Sequence, residues 1–381
     1  MAEPLPALDR GRVVLVASSA DVTRLADYDS GCSRWYLWSG DAAYDVTEHA
    51  REGVLRAGGY YLNLERLLGG TPQVFCRTVG SIEEYVGWLA EGLLGKIEGK
   101  KLMLSYSGGK DSTAALAVLL RLMERASFRL HVVHVHMPYI EPEDNVRFVE
   151  FAARRLGVDI EVVEPSRAVM RRYLLEEGLP YRRGRWCTYL KTRPLKVRAK
   201  RGGVDILVIG DRALEAGKRF HRLMGRLVSG QLLKGKKLYI IAPLTVVDVV
   251  SMAKECGVVH PDYLAGITRV SCYYCPYRSV FELMLVRPRL EDEGLVEEAM
   301  RREWRRWYSD IPWEDFKLHH LWRYIPKMAR AMLRVKEAVS KACEAALGLD
   351  DMRRLNSSIW LDEIEAPLLG REALVRAVAP P

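Results

Sequence analysis

The stretch LSYSGGKDSTAALAVL, residues 104–119, runs from an apolar segment through Ser107, Gly108, Gly109, Lys110, Asp111 and Ser112 into a helical pattern. Two adjacent glycines let the backbone turn and approach an anion with no Cβ in the way. Successive N–H groups and the start of the following helix offer positive potential at that point. Ser112 can cap the helix, and Lys110 adds a point charge suited to phosphate oxygens. The turn is not a Walker A loop: Asp111 follows Lys110, and Leu104 stands where that loop has its first glycine. Binding of a nucleotide's phosphates is the chemistry these residues predict.

A second set of reactive residues lies downstream. Cys272-x-x-Cys275-Pro276 has the spacing with which two thiolates can face one ion or cluster. Cys187 stands alone upstream inside a basic segment, whose positive charge is expected to lower its thiol pKa. Seven cysteines, an odd number, speak against a complete disulfide framework. Disulfides do occur in hyperthermophile cytosol, so Cys32, Cys76, Cys256 and Cys343 stay open. A Zn2+ site with a fourth ligand such as Cys32 or a histidine, free thiols, or a Cys272–Cys275 disulfide all remain compatible with the spacing. Cys256, in AKECGVVH, reads as a core or helix-end residue before Gly257. The histidines of HVVHVHMP fall at strand spacing as packing or lining residues, with His136 at the strand's end near the nucleotide.

The elements that must position these residues alternate. KLMLSYS reads as a strand and 112–126 as a helix. LHVVHVHM is the next strand, EDNVRFVEFAARRLG an amphipathic helix ending at Gly157, DIEVVEP a strand and AVMRRYLLEEG a helix. DILVIGD and KLYIIAPL follow as strands. This alternation predicts an α/β fold, a Rossmann-like parallel sheet with helices on both faces. Ligands of such sheets bind at the carboxyl ends of strands, where the 107–112 turn falls. Residues 1–97 read as a small N-terminal module of unassigned role, with RVVLVAS a strand, DSGCSRWYLWSGD a loop and SIEEYVGWLAEGLLGKI a helix. Residues 98–290 read as the nucleotide domain. Residues 291–381 read as a basic, helical C-terminal region, including EGLVEEAMRREWRRWY and IPKMARAMLRVKEAVSKACEAAL.

Charge and composition narrow the partners. The chain of 381 residues has a net charge of +9, and Arg171–Arg201 alone holds eleven Lys/Arg against two acids. Lys218–Lys237 holds seven basic residues and no acid. Localised positive charge favours nucleotides, phosphate or RNA. No apolar run reaches the ~18 residues a membrane helix needs, and the first residues lack a signal peptide's layout, so a cytoplasmic, membrane-free protein is expected. Only three Asn and two Gln in the whole chain suggest a thermophile.

The SGGKDS stretch resembles the pyrophosphate-binding loop of the ATP pyrophosphatases, the adenine nucleotide alpha hydrolase-like superfamily. Three further segments resemble its phosphoadenosine phosphosulfate reductase-like family. These are RWCTYLKTRPLK at 185–196, IGDRALEAGKR at 209–219 and VSCYYCPYRS at 270–279. The resemblance covers roughly 98–290; it departs from the family pattern at Ala216 and Ser271, and from the Cys-Cys pair of the sulfonucleotide reductases at Thr188. It implies ATP, with Mg2+, held by Ser107, Gly108, Gly109, Lys110, Asp111, Ser112, Arg212 and Glu215. Lys110, Asp111 and Arg212 would act in catalysis. It also implies a [4Fe–4S] cluster on Cys187, Cys272 and Cys275, with Zn2+ the alternative. With Thr188 in place of a second adjacent cysteine, three protein thiolates would leave one iron free. AKECGVVH is like the catalytic tail of sulfonucleotide reductases only on the surface, because it precedes Cys272.

The implied activity is cleavage of ATP to AMP and pyrophosphate by an adenylating sulfur transferase. Its acceptor would be tRNA or another RNA, and a sulfur donor protein would supply it. A sulfonucleotide reductase shares the cysteine segments but cuts no ATP. A sulfate adenylyltransferase-like subunit keeps the loop and leaves the cysteines unexplained. A non-catalytic nucleotide- or RNA-binding protein is the reading outside enzymes.

Overall fold

The computed structural model describes residues 14–27, 33–68 and 81–361. Its centre is a six-stranded sheet in the order Ile160–Val163, Arg129–Val135, Lys101–Ser105, Ile206–Val208, Lys237–Leu238, Leu233–Lys234. The first five strands are parallel and the last is antiparallel. From Lys101–Ser105 the chain steps outward through two strands on one side, then returns to place Ile206–Val208 on the other. That reversal opens a crevice at the carboxyl ends of Lys101–Ser105 and Ile206–Val208, where such sheets bind ligands. The expected α/β architecture, parallel sheet and helical C-terminal region are present.

Local sequence accounts for the helices around it. Lys110–Met123 has ten buried residues, consistent with a helix apolar on nearly all sides. It packs between Ile82–Ile97 and Val246–Glu255. Ser81 accepts the Glu84 N–H at the start of Ile82–Ile97. Gly157, at φ +64°, ends Glu143–Leu156 in the left-handed conformation that favours glycine. Among the described residues no helix is long and apolar enough to cross a membrane.

Three segments differ from the sequence expectation. KLYIIAPL is strand only at Lys237–Leu238; it then turns through Ala242 N–H to Tyr239 O and Leu244 N–H to Ile241 O, just before and after Pro243. Within DSGCSRWYLWSGD, Ser33–Ser39 is a strand, because its aromatic residues pack inward and Trp38 is fully buried. Cys32 and Cys76 lie outside the described residues. Within the C-terminal region, Ala345–Gly348 leaves the helix that ends at Ala342 and pairs antiparallel with Ala42–Asp45. It thereby adds a fifth strand to the N-terminal sheet.

Candidate nucleotide and cysteine site

The SGGKDS loop leaves the strand Lys101–Ser105 and enters the helix Lys110–Met123. Gly108 sits at φ +75°, and a Cβ there would meet the Phe148 ring at 3.3 Å. A Cβ on Gly109 would meet the Tyr263 hydroxyl at 3.3 Å. The Ser107 and Ser112 hydroxyls lie 3.0 Å apart, and Ser112 Oγ donates to Gly109 O at 2.9 Å. The Lys110 N–H donates to Tyr263 Oη at 2.8 Å, and Lys110 Nζ to Thr268 O at 3.0 Å.

Opposite the loop, just past the strand Ile206–Val208, the fully buried Arg212 donates through Nε to Asp111. Its other two nitrogens, Nη1 and Nη2, are buried and have no protein partner. A guanidinium in that state is ready to receive two phosphate oxygens. Burial would raise the Asp111 pKa, but Arg212 and Lys110 outweigh it and hold the carboxyl well below its usual range. Burial lowers the Lys110 pKa, with Asp111 opposing. Glu215 pairs with Arg219, which also reaches Asp211 at 3.4 Å. Loop and arginine thus meet across the crevice as the sequence segments imply.

The cysteines stand at the same end of the sheet. Cys187 is the second residue of the helix Trp186–Arg201, where the helix dipole favours a thiolate. Lys191 is one turn further along, 3.9 Å from Glu141. Cys187, Cys272 and Cys275 are half-buried free thiols, not a disulfide. They lie close enough to perturb one another, and Lys191 feels all three. Cys272 follows Thr268 by four positions, a span of at most about 14 Å, and Thr268 accepts from Lys110 Nζ. One segment, 268–275, therefore joins the phosphate loop to the thiols.

The expected lowering of the Cys187 pKa is corrected by the structure. Burial pushes this thiol up, helped by Cys275, with Arg185 opposing only in part. Burial and Glu141 push Cys272 up well beyond the ordinary thiol value. Not every basic residue of the segment turns to the thiols. Arg182, for instance, donates to Pro276 O and Ser19 Oγ and lies over the Tyr277 and Tyr324 rings.

The thiol donor set fits an iron–sulfur cluster. Three thiols that perturb one another, with the Lys191 ammonium beside them to offset negative charge, are the donor set such a cluster needs. Sequence reasoning gave the histidines a lining role and missed Glu141, Tyr263 and Thr268. Lys191 falls in the basic segment Arg171–Arg201, and its position four residues after Cys187 places it on the same helix face.

Residues 101–278 match the family model for the phosphoadenosine phosphosulfate reductase domain. The tRNA-cytidine(32) 2-sulfurtransferase of Polynucleobacter asymbioticus is 33% identical over 104 residues, covering 27% of this chain and 32% of the relative. That of Anaeromyxobacter dehalogenans is 35% identical over 81 residues, covering 21% and 28%. The chain thus spans about a third of the length of the curated relatives it matches. Among solved structures, the U34-tRNA thiolase NcsA of Methanococcus maripaludis with its [4Fe–4S] cluster is 13% identical, with a TM-score of 0.36. That alignment covers 66% of this chain and 78% of the thiolase. The phosphoadenylyl-sulfate reductase of Candida auris, also 13% identical, aligns with a TM-score of 0.34 over 51% of this chain and 90% of its own.

Proposed function

We propose that this chain, whose residues 101–278 match the family model for the phosphoadenosine phosphosulfate reductase domain, is an ATP-dependent sulfurtransferase acting on tRNA in the cytoplasm. The observation that carries the reading is the crevice itself. An intact SGGKDS loop faces the two unpartnered Arg212 nitrogens, and segment 268–275 leads from that loop to three thiols. The curated relatives are named as tRNA sulfurtransferases, which supports the acceptor class.

In this reading the loop N–H groups, Lys110 and Arg212 hold the phosphates of Mg2+-bound ATP, and Asp111 keeps Arg212 in position. A carbonyl oxygen of the acceptor base attacks the α-phosphorus, the bond to the bridging oxygen breaks, and pyrophosphate leaves. Sulfide-level sulfur from a donor protein then attacks the activated carbon, and AMP departs with the former carbonyl oxygen. Cys187, Cys272 and Cys275 would hold a [4Fe–4S] cluster, which supplies an iron with a position open to sulfur. Lys191, its charge favoured by Glu141 and the thiols over the opposing effect of burial, offsets negative charge there. Bringing acceptor and sulfur to one crevice provides the orientation a bimolecular transfer lacks.

Pyrophosphate, not orthophosphate, is the expected product when ATP and tRNA are supplied together. Lys110→Ala and Arg212→Met are each expected to weaken ATP binding roughly tenfold to a hundredfold, since a charge-assisted contact contributes about 1.5–3 kcal/mol. Unchanged ATP affinity in both variants would remove the nucleotide assignment. The family match also keeps a sulfonucleotide reductase as the second reading; a reductase would turn over with no pyrophosphate released.

The exposed hairpin lysines, Lys234, Lys236 and Lys237, with the exposed Arg183 and Arg185, are the basic set proposed to meet RNA phosphates. Arg182 and Lys191 are excluded from it by their internal partners. Lys234→Ala with Lys236→Ala is expected to flatten the log–log salt dependence of tRNA binding by roughly 1.4–1.8. A slope unchanged by both substitutions would direct RNA to another face.

A further inference from the structure

We propose that His134, His136 and Glu141 form a mononuclear site for a first-row divalent transition ion, separate from the three cysteines. The two histidines are 0% and 3% exposed, and Glu141 is 2% exposed. One ligand atom from each residue lies within 4.8 Å of the others. The proposal stands on these residues alone and does not depend on sulfur transfer being the reaction.

The donor atoms are prepared for a cation. His134 Nδ1 is 2.9 Å from the Tyr106 carbonyl. A carbonyl only accepts, so Nδ1 carries the proton and Nε2 presents its lone pair. Nε2 is buried without a partner. A ring N–H held by a backbone carbonyl is the usual outer support of a metal-bound imidazole. His136 Nδ1 is likewise buried without a partner. The two histidines alternate along the strand Arg129–Val135 and its continuation, so they share one side of the sheet.

Glu141 closes the set from the turn that follows. Its Oε2 accepts the Met137 N–H at 3.0 Å and its Oε1 the Asn145 amide at 3.1 Å. Those bonds fix the carboxylate and leave it further lone pairs. Cys272 Sγ approaches Oε2 at 3.8 Å and Lys191 Nζ at 3.9 Å, which puts this group beside the thiols. Two imidazoles and one carboxylate are a donor set used by zinc hydrolases and by non-haem iron enzymes, both with coordination positions left open. Bonds of about 2.0–2.2 Å require the donors to close by on the order of an ångström, within the reach of side-chain rotation.

Cobalt(II) is a suitable probe because its spectrum reports its ligands. The full-length variant Cys187→Ser/Cys272→Ser/Cys275→Ser should bind one Co2+ per chain, with visible d–d bands and no thiolate charge-transfer band. Adding His136→Ala or Glu141→Gln should weaken that binding at least tenfold. No cobalt binding, or binding indifferent to both substitutions, overturns the proposal and leaves the histidines as packing residues. Should the triple variant fail to fold, zinc and iron are measured together in the anaerobic wild-type protein. His136→Asn should then remove one zinc per chain and leave the iron unchanged. Iron lost in step with zinc would instead assign the imidazoles to the thiol-bound centre and overturn the separate site.

Discussion

Cys187→Ala, Cys272→Ala and Cys275→Ala are each expected to take the iron of the anaerobically purified protein from about four per chain towards zero and to abolish sulfur transfer. Each thiol perturbs the others, so the three act as one set. Among the described residues, none of them has a side-chain hydrogen bond to the SGGKDS loop. That loop is held by Tyr263, Thr268 and its own serines, so ATP affinity should change by less than roughly twofold, as for independent sites. This split between lost transfer and retained nucleotide binding is the informative result, since a merely unfolded variant would lose both. Metal analysis with equilibrium ATP binding on the same sample checks it. Wild-type protein purified anaerobically without iron, whatever zinc it holds, would overturn the cluster. Full sulfur transfer by the triple variant would overturn the role given to the cysteines.

The SGGKDS turn between strand and helix was legible because its signal is local. Gly108 takes the positive φ that favours glycine, a Cβ on Gly109 would crowd the Tyr263 hydroxyl, and six contiguous residues carry the whole signal. The parallel sheet was legible for a similar reason, since each apolar strand and amphipathic helix announces itself by its own period. What the sequence hid depends on residues far apart in the chain. Glu141 gains its meaning from His134, His136, Cys272 and Lys191, which arrive from three other segments. The reversed pKa of Cys187 follows from burial, which charge counting along a segment cannot supply. Ala345–Gly348 looked like the tail of a helix because its pairing partner, Ala42–Asp45, lies some three hundred residues earlier.

Asp21→Asn is expected to destabilise the fold by about 3–5 kcal/mol, the effect of removing one partner from a buried ion pair. Asp21 is fully buried and accepts from Arg323 Nη2 at 2.9 and 3.1 Å, from Lys336 Nζ at 2.5 Å, and from the Tyr324 hydroxyl. Arg323 and Lys336 are themselves 0% exposed, so neutral Asn leaves two buried cations without their counter-ion. Arg323 Nη1 also donates to the Arg278 carbonyl, and the Arg278 N–H donates to Cys275 O. The same knot therefore joins the N-terminal sheet and the C-terminal helices to the CxxC turn. Burial alone would raise the Asp21 pKa, but Arg323 and Lys336 prevail and hold it far below its ordinary value. The folded pKa is thus depressed. Its contribution is present above the unfolded value near 3.9 and fades as pH falls from about 5 through that value and below. Denaturant midpoints measured from pH 7 down to pH 3 should show wild type losing stability steeply, with the Asp21→Asn curve lower and flatter. Asp21→Asn combined with Lys336→Met should recover part of the loss, because it removes one stranded charge. A single variant within about 1 kcal/mol of wild type at pH 7, the scale of an exposed pair, would show that this knot does not hold the two regions together.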